Sequence, residues 1–108
     1  MKKGEVWLVQ IPSSNGHEQA GARPAIIIAE TPMNVALIVP LTSNKDTSRF
    51  QHTIEITPNT SNGLVVDSVG LVFQLRAIDK LRLKKKIGDI DKLKLKEIDE
   101  KMRALLTL

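Results

Sequence analysis

Cysteine and tyrosine are absent from this chain of 108 residues, which contains one tryptophan and two phenylalanines. The absence of cysteine excludes disulfide bonds, thiolate nucleophiles and cysteine-rich zinc sites. No apolar stretch approaches the roughly 18 residues that a membrane span needs. The N-terminus, Met1-Lys2-Lys3-Gly4-Glu5, meets an acidic residue before any apolar run that would serve as a signal peptide. We therefore expect a cytoplasmic protein without a membrane association.

The residues that are present are typical of one small globular domain, predicted to span residues 1–108. Hydrophobic residues make up 42% of the chain, and the formal net charge is +4 with a pI of about 9.6. Residues 1–75 carry five Lys or Arg and six Asp or Glu, whereas residues 76–108 carry eleven and six. Basic residues are densest from Lys80 to Lys96, around Lys84-Lys85-Lys86. This segment is either a solvated face or a surface that contacts phosphate or an acidic peptide.

Short β-branched runs bounded by turn residues predict a mainly β fold. The predicted strands are Glu5–Ile11, Pro24–Ala29, Val35–Leu41, His52–Thr57, Leu64–Val66, Val69–Leu75 and Ala77–Leu83. The first strand alternates only weakly, which indicates that it is covered on both faces, with Trp7 in the core. At the end of the chain the period changes to that of a helix capped by Asp91. Its apolar face is predicted to contain Leu95, Ile98, Met102, Leu105 and Leu106.

Patterns for the common phosphate and metal sites fail in this chain. Gly16 and Gly21 have the spacing of a P-loop, but Ala22-Arg23 stands in place of Lys-Ser/Thr. His17-Glu18 begins like a zinc-protease helix, yet Gly21 occupies the position of the second histidine. The two histidines, His17 and His52, have no metal-binding spacing. We therefore expect neither a cofactor nor a metal ion.

Four motifs do have a recognisable order and spacing. They are Gly4-Glu5-Val6-Trp7-Leu8-Val9, the segment from Gly16 to Ile28, Val39-Pro40-Leu41-Thr42-Ser43, and Gln74-Leu75-Arg76-Ala77-Ile78-Asp79. Over nearly the whole chain this pattern resembles the MazF/PemK/Kid toxins, the ribosome-independent RNA interferases of bacterial toxin–antitoxin pairs. The resemblance implies a small SH3-like barrel of the CcdB/PemK type with a C-terminal α-helix, assembled as a homodimer. It also implies metal-independent cleavage of single-stranded RNA to a 2′,3′-cyclic phosphate and a 5′-hydroxyl.

The resemblance also suggests which residues form the site. Arg23 falls on the family's catalytic arginine, Thr42 on its catalytic threonine, and Glu18 on an acidic residue that is important in some members. His17 falls on a substrate-contacting histidine of the PemK/Kid-like toxins. The other residues expected to contact substrate are Gln19, Ser43, Phe50 and Gln74.

The implied chemistry requires residues of these types. Attack by a 2′-oxygen on the neighbouring phosphate needs a proton acceptor, a proton donor for the leaving oxygen, and positive charge for the crowded phosphorane. Arg23 suits the last role, because its planar fork matches phosphate oxygens and hardly ever loses its proton. Glu18 or His17 is the easier acceptor, and Thr42 is predicted to orient the phosphate by a hydrogen bond. Alternatively, Arg23 only forms a surface ion pair with Glu18, Thr42 only ends a strand, and His17 is an ordinary polar loop residue.

Two departures from the family keep other functions open. Phe73 stands where many relatives have an acid before the glutamine, and Leu71 matches the arginine of Kid-like members. A Kid-type acid–base pair is therefore absent, which favours an Arg23/Thr42-centred mechanism and leaves Phe73 as a residue that could stack a base. One alternative is a member without catalytic activity that binds RNA or antitoxin. A CcdB-like toxin directed at gyrase is the other, although the chain lacks the C-terminal tryptophan of those proteins.

The resemblance implies a protein partner as well. The expected antitoxin has an acidic, initially disordered segment that folds across the RNA groove and competes with RNA. Lys84-Lys85-Lys86 would attract such a segment electrostatically.

Overall fold

A computed structural model describes residues 1–11 and 22–108. These residues form one α-helix, α1 (Lys92–Leu106), and three short 3-10 turns at Lys45–Arg49, Val72–Gln74 and Lys80–Arg82. The strands are β1 (Glu5–Gln10), β2 (Ala22–Glu30), β3 (Val35–Thr42), β4 (Thr53–Ile56), β5 (Ser68–Leu71), β6 (Arg76–Asp79) and β7 (Leu83–Asp89). The predicted mainly β fold with a C-terminal helix is confirmed. In the described part of the chain, no helix has both the length and the apolar character that crossing a membrane requires.

All strand pairs are antiparallel, and β3 organises them. The order across the sheet is β4-β5-β3-β2-β1-β7, and β6 also pairs with β3. The first half of β3, Val35–Ile38, pairs with β6, whereas its last two residues, Leu41 and Thr42, pair with β5. The segment Val72–Leu75, which follows β5 and precedes β6, therefore runs past Val39 and Pro40 of β3.

Side-chain alternation along the strands creates two apolar cores. On one face, Val6, Ile26 and Val39 pack with Ile54 and Ile56 of β4 and with Ile98 of α1. On the other face, the second core lies within the β7-β1-β2-β3-β6 barrel and contains Val9, Ala25, Ile27, Ile38 and Ile78, with Trp7 packed against it. Strand β1 contributes to both cores, so the predictions that it is covered on both faces and that Trp7 is a core residue are confirmed.

Helix α1 begins as the sequence predicts. The Asp91 side chain accepts a hydrogen bond from the backbone N–H of Lys94 at 2.8 Å, which satisfies one of the unpaired donors of the first turn. Ile98 is fully buried against the first core, together with the partly buried Leu95, Met102 and Leu105. Leu106, by contrast, is half exposed at the last residue of the helix.

Three of the predicted strands are wrong in whole or in part. Leu64–Val66 is an irregular segment, and Val65 is 91% exposed. The run Val69–Leu75 leaves the sheet after Leu71 and continues as a 3-10 turn. The run Ala77–Leu83 is divided between β6 and β7, with another 3-10 turn between them. Strand β7 was missed because its lysine-rich centre gives no apolar alternation, although backbone pairing with β1 is enough to hold it.

A buried asparagine shapes the connection between β4 and β5. Asn62 is 1% exposed, and its side-chain oxygen accepts hydrogen bonds from the N–H groups of Asn59 (3.2 Å) and Leu64 (3.0 Å). Its side-chain nitrogen donates to the carbonyl of Thr57 at 2.9 Å. The resulting turn is joined to β7 by a hydrogen bond of 2.8 Å from the Asp89 N–H to the Ser61 carbonyl.

Candidate active site

A cleft of about 190 Å³ opens where β2, β3 and β6 come together. Ala25 pairs with Pro40, so continuing the antiparallel register by two residues places Arg23 opposite Thr42. The lining residues are Ile11, Arg23, Pro40, Leu41, Thr42, Leu71, Gln74 and Arg76. The structure therefore brings together three of the residues predicted from the sequence, Arg23, Thr42 and Gln74.

Arg76 is a site residue that the sequence reasoning missed. It pairs with Ile38 of β3, and alternation places both Ile38 and Pro40 on the face of β3 that covers the second core. Arg23 lies two residues before the buried Ala25 in β2, so its side chain is on the side of the sheet that covers the second core. The two guanidinium groups consequently lie at the same end of the barrel, in one cleft. Arg76 belongs to the Gln74–Asp79 motif of the sequence, but only the strand register shows that it is near Arg23.

A second depression lies on the other side of Arg23 and Thr42. This groove, of about 630 Å³, is lined by Leu8, Arg23, Pro24, Leu41, Thr42, Ser43, Asn44, Val65, Val66 and Ser68. Arg23, Leu41 and Thr42 line both the cleft and the groove, so they form the ridge between them. The predicted substrate contact Ser43 lies in the groove rather than in the cleft.

The charge of the cleft suits an anion. Its described lining contains two arginines and neither Asp nor Glu. Arginine presents a planar set of donors that fits the oxygens of phosphate, and two such groups supply more than one pair of contacts. Arg23 and Arg76 are both partly buried, which reduces the screening of their charge by solvent.

Thr42 is arranged to donate a hydrogen bond. Its Oγ1 accepts the backbone N–H of Asn44 at 3.1 Å. A hydroxyl that accepts in this way keeps its own proton for another partner. The oxygen of a ligand in the cleft is a suitable partner, so the geometry agrees with a role in orienting phosphate.

One predicted site residue that the structure describes lies in neither the cleft nor the groove. Phe50 lies outside both depressions, where its ring contacts that of Phe73. His17, Glu18 and Gln19 lie outside the described residues, so their predicted roles stay predictions. Among the residues that the structure describes, no group of three or more His, Cys, Asp or Glu side chains is arranged to hold a metal ion.

An ion pair connects the loops beside the groove. Lys45 Nζ lies 2.8 Å from Asp67 Oδ2, which joins the Lys45–Arg49 turn to the segment before β5. The hydrogen bond that Lys45 donates to this carboxylate, and then the negative charge of the carboxylate, raise the pKa of Lys45. Both side chains are largely exposed, so the pair contributes little to stability and mainly restricts where the two loops lie.

Part of the predicted basic surface borders the groove. In β7, Lys85 pairs with Leu8, and Leu8 lines the groove. Lys86 lies near the carboxylates of Asp89 (3.3 Å) and Glu5 (3.5 Å), and the hydrogen bond to Asp89 is the main reason that its pKa is raised. The lysines of β7 therefore differ, with Lys86 engaged by acidic neighbours and Lys85 placed beside the groove.

Comparison with known proteins agrees with this architecture. Endoribonuclease MazF9 of Mycobacterium tuberculosis is 30% identical over 118 residues, covering 100% of this chain and 98% of that protein. The solved structure of the Mycobacterium tuberculosis toxin MazF-mt6 is similar with a TM-score of 0.76 at 17% identity, covering 96% of this chain and 97% of that one. A MazE-MazF crystal structure from Deinococcus radiodurans matches with a TM-score of 0.72 at 25% identity, covering 98% of this chain and 94% of that one.

The family assignment rests on a match across almost the entire chain. Residues 2–106 match the model of the PemK-like, MazF-like toxins of type II toxin–antitoxin systems. Similarity to MazF9 extends over the same length, and the solved MazF structures share the fold. The chain therefore belongs to the PemK-like, MazF-like toxin family of type II toxin–antitoxin systems.

Proposed function

We propose that this toxin is an endoribonuclease that cuts single-stranded RNA in the cleft between β2, β3 and β6. The observation that carries the proposal is the joint presence of Arg23, Arg76 and Thr42 around one cleft whose described lining contains neither Asp nor Glu. The relative named Endoribonuclease MazF9 supports the same activity. A phosphodiester in this cleft would meet two guanidinium groups and a hydroxyl donor.

The proposed reaction needs only groups that protein side chains provide. The 2′-oxygen of one nucleotide attacks the adjacent phosphorus, and a P–O2′ bond forms as the P–O5′ bond breaks. A base accepts the 2′-hydroxyl proton, and a general acid protonates the departing 5′-oxygen. The products are a 2′,3′-cyclic phosphate and a 5′-hydroxyl, with no metal ion in the scheme.

We assign the residues of the cleft to charge stabilisation and positioning. Arg23 and Arg76 hold the non-bridging oxygens, whose negative charge increases in the phosphorane. Thr42 donates to one of these oxygens. Gln74 in the cleft and Ser43 in the neighbouring groove hydrogen-bond the nucleotides on either side, since amide and hydroxyl groups can pair with base edges. Leu71, which is buried in the cleft wall, supplies no titratable group.

Proton transfer is assigned to the segment before β2. Glu18 and His17 are the candidate acceptor and donor, because an ionised carboxylate can accept a proton and an imidazole can donate one near neutral pH, whereas a guanidinium keeps its proton. Gln19 is a further candidate contact with substrate. The chain continues from this segment into Arg23, so these side chains and the cleft arginine belong to one stretch of sequence.

The partner protein is proposed to be an antitoxin that occupies the groove. The solved MazE-MazF complex from Deinococcus radiodurans is a relative of similar fold. In this chain the groove joins apolar side chains, Val65 and Val66, to Arg23, and Lys85 borders it through Leu8. An acidic, disordered segment that folds here would compete with RNA. We also propose that the toxin is a homodimer, which sedimentation of the purified protein would test.

The experiment that tests the function is cleavage of a long single-stranded RNA in excess EDTA, followed by analysis of the product ends. We expect discrete cuts that leave cyclic phosphates. Replacing Arg23 by alanine should lower the rate about 10²- to 10³-fold, the usual cost of removing one group that stabilises transition-state charge. Arg103→Ala is the matched control, because Arg103 is exposed on α1 and lines neither depression.

Three outcomes would contradict the assignment. If the folded protein cuts none of several varied RNAs, it is a binding module rather than a nuclease. If Arg23→Ala and Arg103→Ala are equally active, the cleft is not the active site. If Glu18→Gln and His17→Ala leave cleavage intact while Arg23→Lys abolishes it, the assignment of proton transfer is wrong.

A further inference from the structure

The only two phenylalanines of the chain form an exposed aromatic pair beside the cleft. The ring centroids of Phe50 and Phe73 are 6.0 Å apart, and the ring planes are inclined by 75°. Phe50 is 48% exposed and Phe73 is 38% exposed. The Arg49 guanidinium carbon lies 5.2 Å from the Phe50 ring centroid. Large aromatic side chains usually contribute to a core, so two of them at the surface with an arginine require another explanation.

The backbone holds this pair in a defined arrangement. His52 has a φ of 60°, a left-handed conformation that is uncommon for a residue other than glycine. Its carbonyl accepts the Phe73 N–H at 3.2 Å, and the Thr53 hydroxyl donates to the Phe50 carbonyl at 2.9 Å. Phe50 N–H donates in turn to the Thr47 carbonyl at 3.0 Å. Unusual backbone conformations of this kind persist only where surrounding contacts enforce them, and they cluster at functional sites.

The aromatic pair is continuous with the proposed active site. Phe73 lies between Leu71 and Gln74, which both line the cleft. Its Cα is about 3.8 Å from that of Gln74, the distance between consecutive residues. On the other side, the turn that leads to Phe50 begins at Asn44, whose N–H donates to the hydroxyl of Thr42.

We propose that Phe50, Phe73 and Arg49 form a stacking subsite for the base of a nucleotide next to the scissile phosphate of single-stranded RNA. This inference rests on the proposed nuclease function. In an edge-to-face pair, the ring that presents its edge has both faces free of the other ring. Any nucleotide base can stack on such a face. The planar guanidinium of Arg49 adds a second stacking surface and a positive charge. RNA is favoured over a protein ligand because the subsite adjoins the cleft that suits phosphate.

Binding of a labelled RNA oligonucleotide tests the subsite directly. The oligonucleotide contains a site that the wild-type protein cuts, with the attacking 2′-hydroxyl replaced by hydrogen so that binding is measured without cleavage. Phe73→Ala is expected to weaken binding about 5- to 150-fold, the range typical of losing one base–aromatic stack. Phe73→Leu, which keeps an apolar side chain in the same position, should lose most of that affinity too. Leu93→Ala, at a 79% exposed position of α1, is the control and should bind as the wild type does.

Oligonucleotides that lack a single base identify the contact. Removing the stacked base should weaken binding to the wild-type protein but cost little further with Phe73→Ala, because both changes remove the same contact. Phe73→Ala should also leave the salt dependence of binding unchanged, since no phosphate contact is lost. Chemical denaturation followed by Trp7 fluorescence confirms that each variant is folded.

The outcomes separate this proposal from the proposed function. If the wild-type protein cuts no RNA, the nuclease proposal fails and takes the subsite with it. If it cuts RNA while Phe50→Leu, Phe73→Leu and Phe73→Ala bind like the wild type, the subsite alone is refuted. The subsite is also refuted if the loss of binding free energy from base removal simply adds to the loss from Phe73→Ala, because the two changes would then affect different contacts. Weakened binding of the antitoxin with unchanged binding of RNA would assign the aromatic pair to the partner protein instead, which also overturns the proposal.

Discussion

Replacing Asn62 by alanine would remove the side chain that organises the connection between β4 and β5. Three hydrogen bonds would be lost, two accepted from the N–H groups of Asn59 and Leu64 and one donated to the carbonyl of Thr57. The Leu64 N–H is buried in the folded protein, so it would be left without a partner. The change therefore combines the loss of favourable bonds with the cost of an unsatisfied buried donor.

The expected destabilisation is a large fraction of the total stability. Each bond contributes about 0.5–1.5 kcal/mol net, and an unsatisfied buried donor costs about 1–3 kcal/mol. With the bonds to Asn59 and Thr57 counted at this net value and the Leu64 N–H as an unsatisfied donor, we expect the free energy of unfolding to fall by about 2–6 kcal/mol, against the roughly 5–15 kcal/mol of a typical domain. The side chain lost is also small, so the cavity left in its place adds only modestly to this value.

Urea denaturation monitored by the fluorescence of Trp7 measures this change. Trp7 is the only tryptophan and packs against the second core, so it reports on unfolding of the sheet. Asn44→Ala is the matched control, because Asn44 also accepts a backbone N–H through its side chain but is exposed. It should cost about 1 kcal/mol. The reasoning is refuted if Asn62→Ala costs no more than Asn44→Ala.

Three further predictions concern the active site and the fold. Thr42→Val should reduce RNA cleavage about 10²- to 10³-fold, whereas Thr42→Ser, which keeps the hydroxyl, should stay within about tenfold of the wild type. Neither variant should change the free energy of unfolding by more than about 1 kcal/mol, because the Asn44 N–H that loses its acceptor in Thr42→Val is exposed. Glu5→Gln should destabilise the protein at pH 7, because the hydrogen bond from Trp7 (2.9 Å) is the main cause that lowers the pKa of Glu5, with Lys86 adding a smaller effect. A lowered pKa stabilises the fold above the usual value of 4.5, so the difference from wild type should fade as the pH falls below 4.5. Gly88→Ala should lower the free energy of unfolding by at least about 1–3 kcal/mol, since the added Cβ would clash with the backbone carbonyl oxygen of Ser61.

Each of these three predictions has a result that would contradict it. Equal activity of Thr42→Val and the wild type would remove the hydroxyl from the mechanism. A stability difference between Glu5→Gln and the wild type that grows below pH 4.5 would reverse the assigned direction of the pKa change. An unchanged unfolding midpoint for Gly88→Ala would show that the Asn59–Asn62 turn is not held closely against β7.

The pattern of apolar and capping residues correctly predicted those strands and helices that depend on residues close together in the sequence. The strands β1, β2 and β3 have β-branched residues on the faces that become buried, and the start of α1 follows from the Asp91 cap and the helical period after it. Arg23 and Thr42 were identified because their motifs resemble those of the family. Their closeness in space also follows from adjacent strands, since β2 and β3 form a hairpin with a defined register.

Other features depend on contacts that are distant in sequence. Strand β7 exists because its backbone pairs with β1, and its exposed lysines give no alternating signal. The segment Leu64–Val66 has a strand-like composition, but the buried side chain of Asn62 bonds the Leu64 backbone and turns the chain away from the sheet. In both cases the hydrogen-bond partner of the backbone, rather than the side-chain pattern, decides the conformation.

The sequence by itself determined the mainly β fold, the helix that follows it, the family and three residues of the cleft, Arg23, Thr42 and Gln74. Only the tertiary structure placed Arg76 beside Arg23, separated Ser43 from the cleft and joined Phe50 to Phe73. The physical reason is that alternation specifies which face of a strand a side chain occupies, but not which strand lies next to it. That choice is made by register across the sheet, where β3 pairs with β6 along one half and with β5 at its end.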